Sequence, residues 1–239
     1  MVLVHGLRTS RTMWRAQVEA LGRAGVPALA VDLPGHGERR SERFTRDAAV
    51  DVVADGVAAV GGRALVVGLS LGGYTAIAHA ARHPEQVAGL VAASCSTRPL
   101  PALVGGWAAL ARGIARLPDA GAGLNQRMVD RVLTAGAARD VAAGGFALDV
   151  MDDVLREMRG ATPVADLARV EAPVWLVNGR FDHFRGEERR FLRACRDGRL
   201  VVVPGATHLV SLVRPVAFTR VLLSAHAEVA AREAAVRAG

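Results

Sequence analysis

Ala64-Leu65-Val66-Val67-Gly68-Leu69-Ser70-Leu71-Gly72-Gly73 is the stretch on which the reading of this chain turns. A short apolar run of strand type leads into G-x-S-x-G, and apolar residues at helical spacing follow from Gly72 to His83. A serine on so sharp a strand-to-helix turn is pushed out above the sheet. Small residues at Gly68, Gly72 and Gly73 let the backbone and neighbouring elements approach closely. The helix behind the turn aims its N-terminus at the serine and favours negative charge there. A structural turn or a phosphate-binding loop would share these glycines. A phosphate loop calls for a lysine, however, and all thirty basic residues of the chain are arginine.

Outward from this stretch the same alternation continues. Met1–Val4, Ala28–Asp32, Ala64–Gly68, Val87–Ala93, Val174–Asn178 and Leu200–Val203 read as strands, nearly all apolar, as expected where helices cover both sheet faces. Thr12–Ala24, Thr45–Val60, Gly72–His83, Phe184–Asp197 and Pro215–Ala234 carry helical spacing. The predicted fold class is α/β, with a mostly parallel central sheet and helices on both faces. From 97 to 162 no strand candidate occurs, and apolar residues fall at helical intervals around Trp107, Leu110, Ile114, Met128, Val132, Phe146, Val150 and Val154. The expected organisation is therefore a core of residues 1–96 and 163–239 with a helical cap over 97–162. The alanine-rich tail after Ala225 is expected to project beyond the core.

A serine hydroxyl is a poor nucleophile unless a base sits within hydrogen-bond reach and a third group fixes the tautomer of that base. On a sheet that presents serine in this way, the acid and then the histidine follow it along the chain. Asp182 follows the strand Val174–Asn178 through Gly179-Arg180-Phe181, and His208 follows Leu200–Val203 through Pro204-Gly205-Ala206-Thr207. Both lie beyond strand C-terminal ends, where open α/β sheets place their sites. A competing reading pairs Asp182 with Arg180 or Arg185 as an ordinary loop acid. His79, His83, His183 and His226 read as solvated side chains. His183 is the nearest rival to His208, but it adjoins Asp182 on one short loop and cannot readily face both that acid and Ser70.

Composition narrows the classes. With 239 residues, 51% hydrophobic and 22% charged, the chain can bury a sizeable core and does not read as disordered. The net charge of +7 raises nucleic acid or an anionic membrane as partners. The arginines are dispersed and lack interleaved aromatics, which argues against nucleic acid and leaves an acidic protein partner open. Two cysteines, Cys95 and Cys195, allow at most one disulfide, and a cytoplasmic, reducing setting is expected. The opening Met1-Val2-Leu3-Val4-His5-Gly6 does not read as a secretory signal, and no run approaches a membrane span.

Taken together, these motifs resemble the α/β-hydrolase superfamily, in its esterase and lipase-like branch with a helical cap, over nearly the whole chain. His5-Gly6 resembles that family's HG motif and Asp32-Leu33-Pro34-Gly35-His36-Gly37 its D-x-x-G-x-G segment. Gly68–Gly73 resembles its elbow, Gly179–Asp182 its G-x-x-D acid loop and Gly205–His208 its G-x-x-H loop. The resemblance implies an oxyanion hole from the backbone N–H groups of Leu7 and Leu71, with His5 and His36 bracing loops. Members usually carry two antiparallel strands before the HG strand, and this chain begins at that strand. Either the sheet is trimmed at one edge or the start lies too late.

The chemistry implied is acyl transfer from an ester or thioester of a small to medium hydrophobic acyl group to water, with catalytic Ser70, His208 and Asp182. Trp107, Met128, Phe146 and Met151 are candidate pocket residues, although packing against the sheet would account for many such side chains. Other readings are a thioesterase acting on an acyl carrier protein, and members of the fold that cleave C–C bonds, cyclise or make peracids. A ligand-binding protein on a hydrolase scaffold is a further alternative. No metal, flavin or nucleotide is indicated, and the sequence does not fix an oligomeric state.

Overall fold

The structure, a computed structural model, describes residues 1–117, 119 and 121–238. The chain runs β1 (Val2–Val4), α1 (Arg15–Arg23), β2 (Leu29–Val31), α2 (Arg46–Ala59), β3 (Ala64–Leu69), α3 (Leu71–Arg82) and β4 (Val87–Ala93). Five helices follow: α4 (Pro101–Ala115), α5 (Ala122–Val132), α6 (Ala135–Ala143), α7 (Met151–Met158) and α8 (Pro163–Leu167). β5 (Val174–Gly179), α9 (Glu188–Ala194), β6 (Gly198–Val203), α10 (Val210–Val213) and α11 (Pro215–Ala238) complete it.

Six strands form one sheet in the order β2-β1-β3-β4-β5-β6, and every pairing is parallel. Side chains alternate across a strand, so each strand feeds two layers. Val2, Val4, Val66, Leu90, Ala92, Val174 and Leu176 join one core with α2, α3 and Phe191. Leu3, Leu65, Val67, Val91, Trp175 and Val177 join the other with Trp14, Phe218 and Leu222. This explains why the strands read as unbroken apolar runs. Edge strand β6 is half-exposed, and Arg199 on it lies 5.0 Å over the Trp175 ring.

Between β4 and β5 the described residues are helical or loop, with no strand. α4 packs on α7, and α6 packs on the 3-10 turn Arg11–Trp14, where Thr12 Oγ1 donates to the Asp140 carbonyl at 2.6 Å. Phe146 and Val150 depart from the expected helical run: both lie in the loop between α6 and α7. Gly144 caps α6 and Gly145 is left-handed (φ 73°), so the helix ends before them. The helix expected over 184–197 is also broken, into a 3-10 turn at His183–Arg185 and α9. His79, expected to be solvated, is buried on α3, with Nε2 2.8 Å from Gln86 Oε1.

The junction of β3 and α3 sets the tightest spacing. A Cβ on Gly68 would lie 2.1 Å from the Gly72 carbonyl oxygen, and one on Gly72 would lie 2.2 Å from that of Val4. Both obstacles are backbone, so no side-chain rotation relieves them. Gly72→Ala is expected to destabilise the protein by about 3 kcal/mol, as overpacking at a rigid site does. Gly105→Ala, on α4 with nothing within 4 Å of the added carbon, is expected to stabilise by about 1 kcal/mol through helix propensity. Urea unfolding of the two variants beside the parent checks the opposite signs.

Candidate active site

Ser70 adopts φ 56° and ψ −115°, a left-handed backbone that a serine rarely takes. Its surroundings hold it there: the Ser70 N–H donates to the Ala93 carbonyl at 2.8 Å, and the Ser70 carbonyl accepts the Tyr74 N–H at 3.1 Å. The bend lifts Oγ out of the sheet at the start of α3. Gly6, in the loop after β1, passes close enough that a Cβ there would lie 3.6 Å from Ser70 Cβ.

The two loops after β5 and β6 are zipped together by their backbones. Arg180 N–H donates to Val203 O at 3.0 Å and Phe181 N–H to Ala206 O at 2.9 Å. Gly179 permits this approach, since a Cβ there would lie 2.3 Å from the Thr207 carbonyl oxygen. The result brings Asp182 under His208. His208 Nδ1 lies 3.0 Å from Asp182 Oδ1, and His208 Nε2 lies 2.9 Å from Ser70 Oγ. An ionised carboxylate only accepts, so Nδ1 carries the proton and Nε2 is left to accept from the serine hydroxyl.

Asp182 is buried, and burial alone would raise its pKa. The hydrogen bond and charge of His208, the Phe184 N–H at 2.8 Å and the nearby Ser94 hydroxyl outweigh that and leave it below the usual aspartate value. Ser94 makes no strict hydrogen bond in this geometry: its Oγ and Asp182 Oδ2 are both buried without a partner. Ser94 is itself left-handed (φ 55°) at the end of β4. The competing pairing of Asp182 with arginine is not formed, because Arg185 binds Glu188 and the Arg180 carbonyl instead.

Around His208 stands a ring of aromatic side chains. His183 and Phe184 each lie 4.9 Å from its ring centroid, and Trp107 of α4 lies 6.2 Å and 6.4 Å from those two rings. Burial, with the neighbouring His208, lowers the pKa of His183. His183, Phe184 and Ser94 carry no signal in the sequence beyond their adjacency to a motif or a strand end. Asp182, His183 and His208 also place three potential metal-ligating atoms within 4.8 Å of one another, although both His208 nitrogens are already engaged.

Of the other candidate pocket residues, Met128 stands half-exposed on α5, Phe146 packs on the core beneath α6, and Met151 is partly buried at the start of α7. Cavities of about 200, 370 and 600 Å³ are present, and none is lined by Ser70, Asp182 or His208. The serine instead stands partly open to solvent. Among the described residues the N–H groups of Leu7 and Leu71 donate to no protein acceptor.

Beneath the loop after β1, His5 is fully buried. Its Nδ1 donates to Gly6 O at 2.8 Å and its Nε2 accepts the Leu33 N–H at 3.0 Å, so the neutral ring is required. The 4.0 Å approach to Asp32 is therefore not an ion pair. Asp32 accepts the N–H groups of Arg11 and Glu38, and His36 packs 4.8 Å from His5 with Nδ1 on the Pro34 carbonyl.

Residues 1–221 match the model of the alpha/beta hydrolase family, and the chain belongs to that family. Over 89 residues it is 42% identical to a pimeloyl-[acyl-carrier protein] methyl ester esterase of Neisseria meningitidis, covering 37% of this chain and 33% of that protein. It is 33% identical over 150 residues to an esterase of Mycobacterium tuberculosis, covering 59% and 48%. The chain thus spans between a third and half of the length of these curated relatives. A thermophilic esterase from Thermogutta terrifontis superposes with a TM-score of 0.77 at 25% identity, covering 95% of this chain and 89% of that one.

Burial, then the charge of His36, pushes the His5 pKa down to about 3, against an ordinary value of 6.5; burial likewise lowers that of His36. A histidine depressed in the folded state binds fewer protons than in the unfolded chain. Its stabilisation is complete above pH 6.5 and is lost as pH falls towards 3. The free energy of unfolding is expected to drop by about 3 kcal/mol between pH 7 and pH 4 from His5 alone. Urea titrations across that range, with His5→Gln expected to flatten the dependence, check it.

Proposed function

We propose that this protein is a serine hydrolase that cleaves an ester or thioester of a small to medium hydrophobic acyl group through an acyl-enzyme on Ser70. The observation that carries this reading is the relay from Ser70 Oγ through both nitrogens of His208 to Asp182, at 2.9 and 3.0 Å. His208 accepts the serine proton as Oγ attacks the acyl carbonyl, and Asp182 stabilises the imidazolium. The proton then passes to the leaving alcohol or thiol. Water, deprotonated by the same histidine, attacks the acyl-enzyme and releases the acid.

The free N–H groups of Leu7 and Leu71 are the proposed oxyanion hole. Donors of this kind bind the charge that develops in the transition state, and each is worth about 10² to 10³ in rate. Helices over 97–162 form the proposed cap, and Trp107, with Phe184 and His183, is the part of the proposed acyl site nearest His208. Met128, Phe146 and Met151 are more distant candidates for the acyl site. Similarity to pimeloyl-[acyl-carrier protein] methyl ester esterases supports an acyl chain presented on a carrier protein as a second substrate form. Two free cysteines, Cys95 and Cys195, agree with a cytoplasmic setting.

Treatment with a fluorophosphonate, read by intact mass, is expected to give a single adduct on Ser70 that is absent from Ser70→Ala. Asp182→Asn is expected to keep the fold and lower kcat on p-nitrophenyl esters by about 10⁴, because the amide favours the wrong histidine tautomer. A folded, accessible protein without adduct or turnover would move the assignment to a ligand-binding role on this scaffold.

A further inference from the structure

α4 and α5 each expose an apolar row on a side other than the one they pack. On α4, Val104 and Ala108 are buried, while Leu103, Trp107 and Leu110, at spacings of four and three, stand 39% to 54% exposed on another side. On α5, Leu124, Met128 and Val132 form a second row at spacings of four, 40% to 51% exposed, while Asn125 faces inward. Eight of the twelve large hydrophobics exposed among the described residues fall between Leu100 and Val132. So many exposed apolar side chains in one stretch of chain mark it as a candidate interaction segment.

The charge on this segment is equally uneven. Arg112, Arg116, Arg127, Arg131 and Arg139 are exposed, and among the described residues none is within 4.0 Å of a carboxylate. Seventeen arginines elsewhere do have such a partner. Arg127 and Arg131 each precede a member of the α5 row by one residue and so flank it. The two carboxylates between residues 100 and 139 are otherwise engaged: Asp119 takes the N–H groups of Gly121 and Gly123, and Asp130 takes Gln126.

We propose that the exposed faces of α4 and α5 seat this protein on a bilayer containing anionic phospholipid, with the apolar rows entering the interface and the unpaired arginines meeting the headgroups. Apolar rows edged by arginine are the pattern of helices that lie in an interface, and no helix among the described residues is long and apolar enough to cross it. A second copy fits poorly, since like faces would bring unpaired arginines together. A peptide laid in a groove fits poorly, since the three cavities described above reach no further along α4 than Pro101 and include no residue of α5. Trp107 ties this surface to the proposed active site through Phe184 and His183. Seating is a binding property and does not depend on turnover at Ser70.

Trp14 and Trp175 are buried, so a change of tryptophan emission reports Trp107. With vesicles of phosphatidylcholine and phosphatidylglycerol, the full chain is expected to float with the lipid and its emission to shift to the blue. Both effects are expected to weaken as salt screens the headgroups and to be small with phosphatidylcholine alone. The double variant Arg127→Glu, Arg131→Glu is expected to bind these vesicles at least about 25-fold more weakly, at about fivefold per arginine. Its circular dichroism and its hydrolysis of a soluble ester should match the parent. Absence of flotation and shift with the anionic vesicles, or a shift unchanged by the double variant, would overturn the proposal. So would burial of Trp107 in a dimer seen by light scattering without lipid. An inactive protein that still floats would count against the hydrolase reading alone.

Discussion

The left-handed backbone at Ser70 is the constraint around which the rest is arranged. A residue with a Cβ occupies φ 56° only when its neighbours leave no cheaper choice. Here β3 delivers the chain to the turn, α3 must start at once, and the Val4 carbonyl and the Gly72 carbonyl stand where side chains would otherwise be. The hydrogen bonds from Ser70 N–H to Ala93 and from Tyr74 N–H to Ser70 fasten the turn to β4 and to α3. Strain at one residue is thus supported by three elements, and Oγ is presented in a fixed direction.

A second constraint is the burial of polar groups beneath the loops that surround this turn. His5 and Asp32 accept the N–H groups of Leu33, Arg11 and Glu38, which the loops after β1 and β2 do not pair by themselves, and His5 adds a donor to the Gly6 carbonyl that also accepts from Thr9. An unpaired buried backbone group costs about 1 to 3 kcal/mol, so these side chains replace a penalty with a bond. The same arrangement holds Gly6 close to Ser70, so the packing of this loop rests on a neutral, buried histidine.

Much of this was legible in the sequence because it is written in residue types that tolerate no replacement. Glycine at 68, 72 and 179 faces a backbone carbonyl oxygen that an added Cβ would meet at 2.1 to 2.3 Å, and such demands leave a pattern that can be read without coordinates. The inner strands were equally plain, since both of their faces are buried and nearly every position had to be apolar. What was not legible depends on packing between distant segments. Nothing local to Trp107 says that it meets Phe184, and nothing local to Ser94 says that it lies beside Asp182. His79 was misread because a helix face turns inward only in relation to Gln86 and its other neighbours. The placement of Phe146 and Val150 outside a helix was signalled, by contrast: Gly144-Gly145 is a stop that helical spacing alone overlooked.

The ring of His208 is held in two different ways. Asp182 fixes which nitrogen bears the proton, through a directional bond that a low dielectric strengthens. His183 and Phe184 pack beside the ring with their centroids 4.9 Å from its own, a contact that directs no proton. Asp182 is anchored on the rigid zipper between the β5 and β6 loops, whereas the aromatic contact continues outward to Trp107 on α4, whose remaining face is exposed. The bond that sets the tautomer thus comes from loops of the core, while the aromatic contacts run outward to the surface. Trp107, Phe184 and His183 thus connect the exposed face of α4 to the ring of His208.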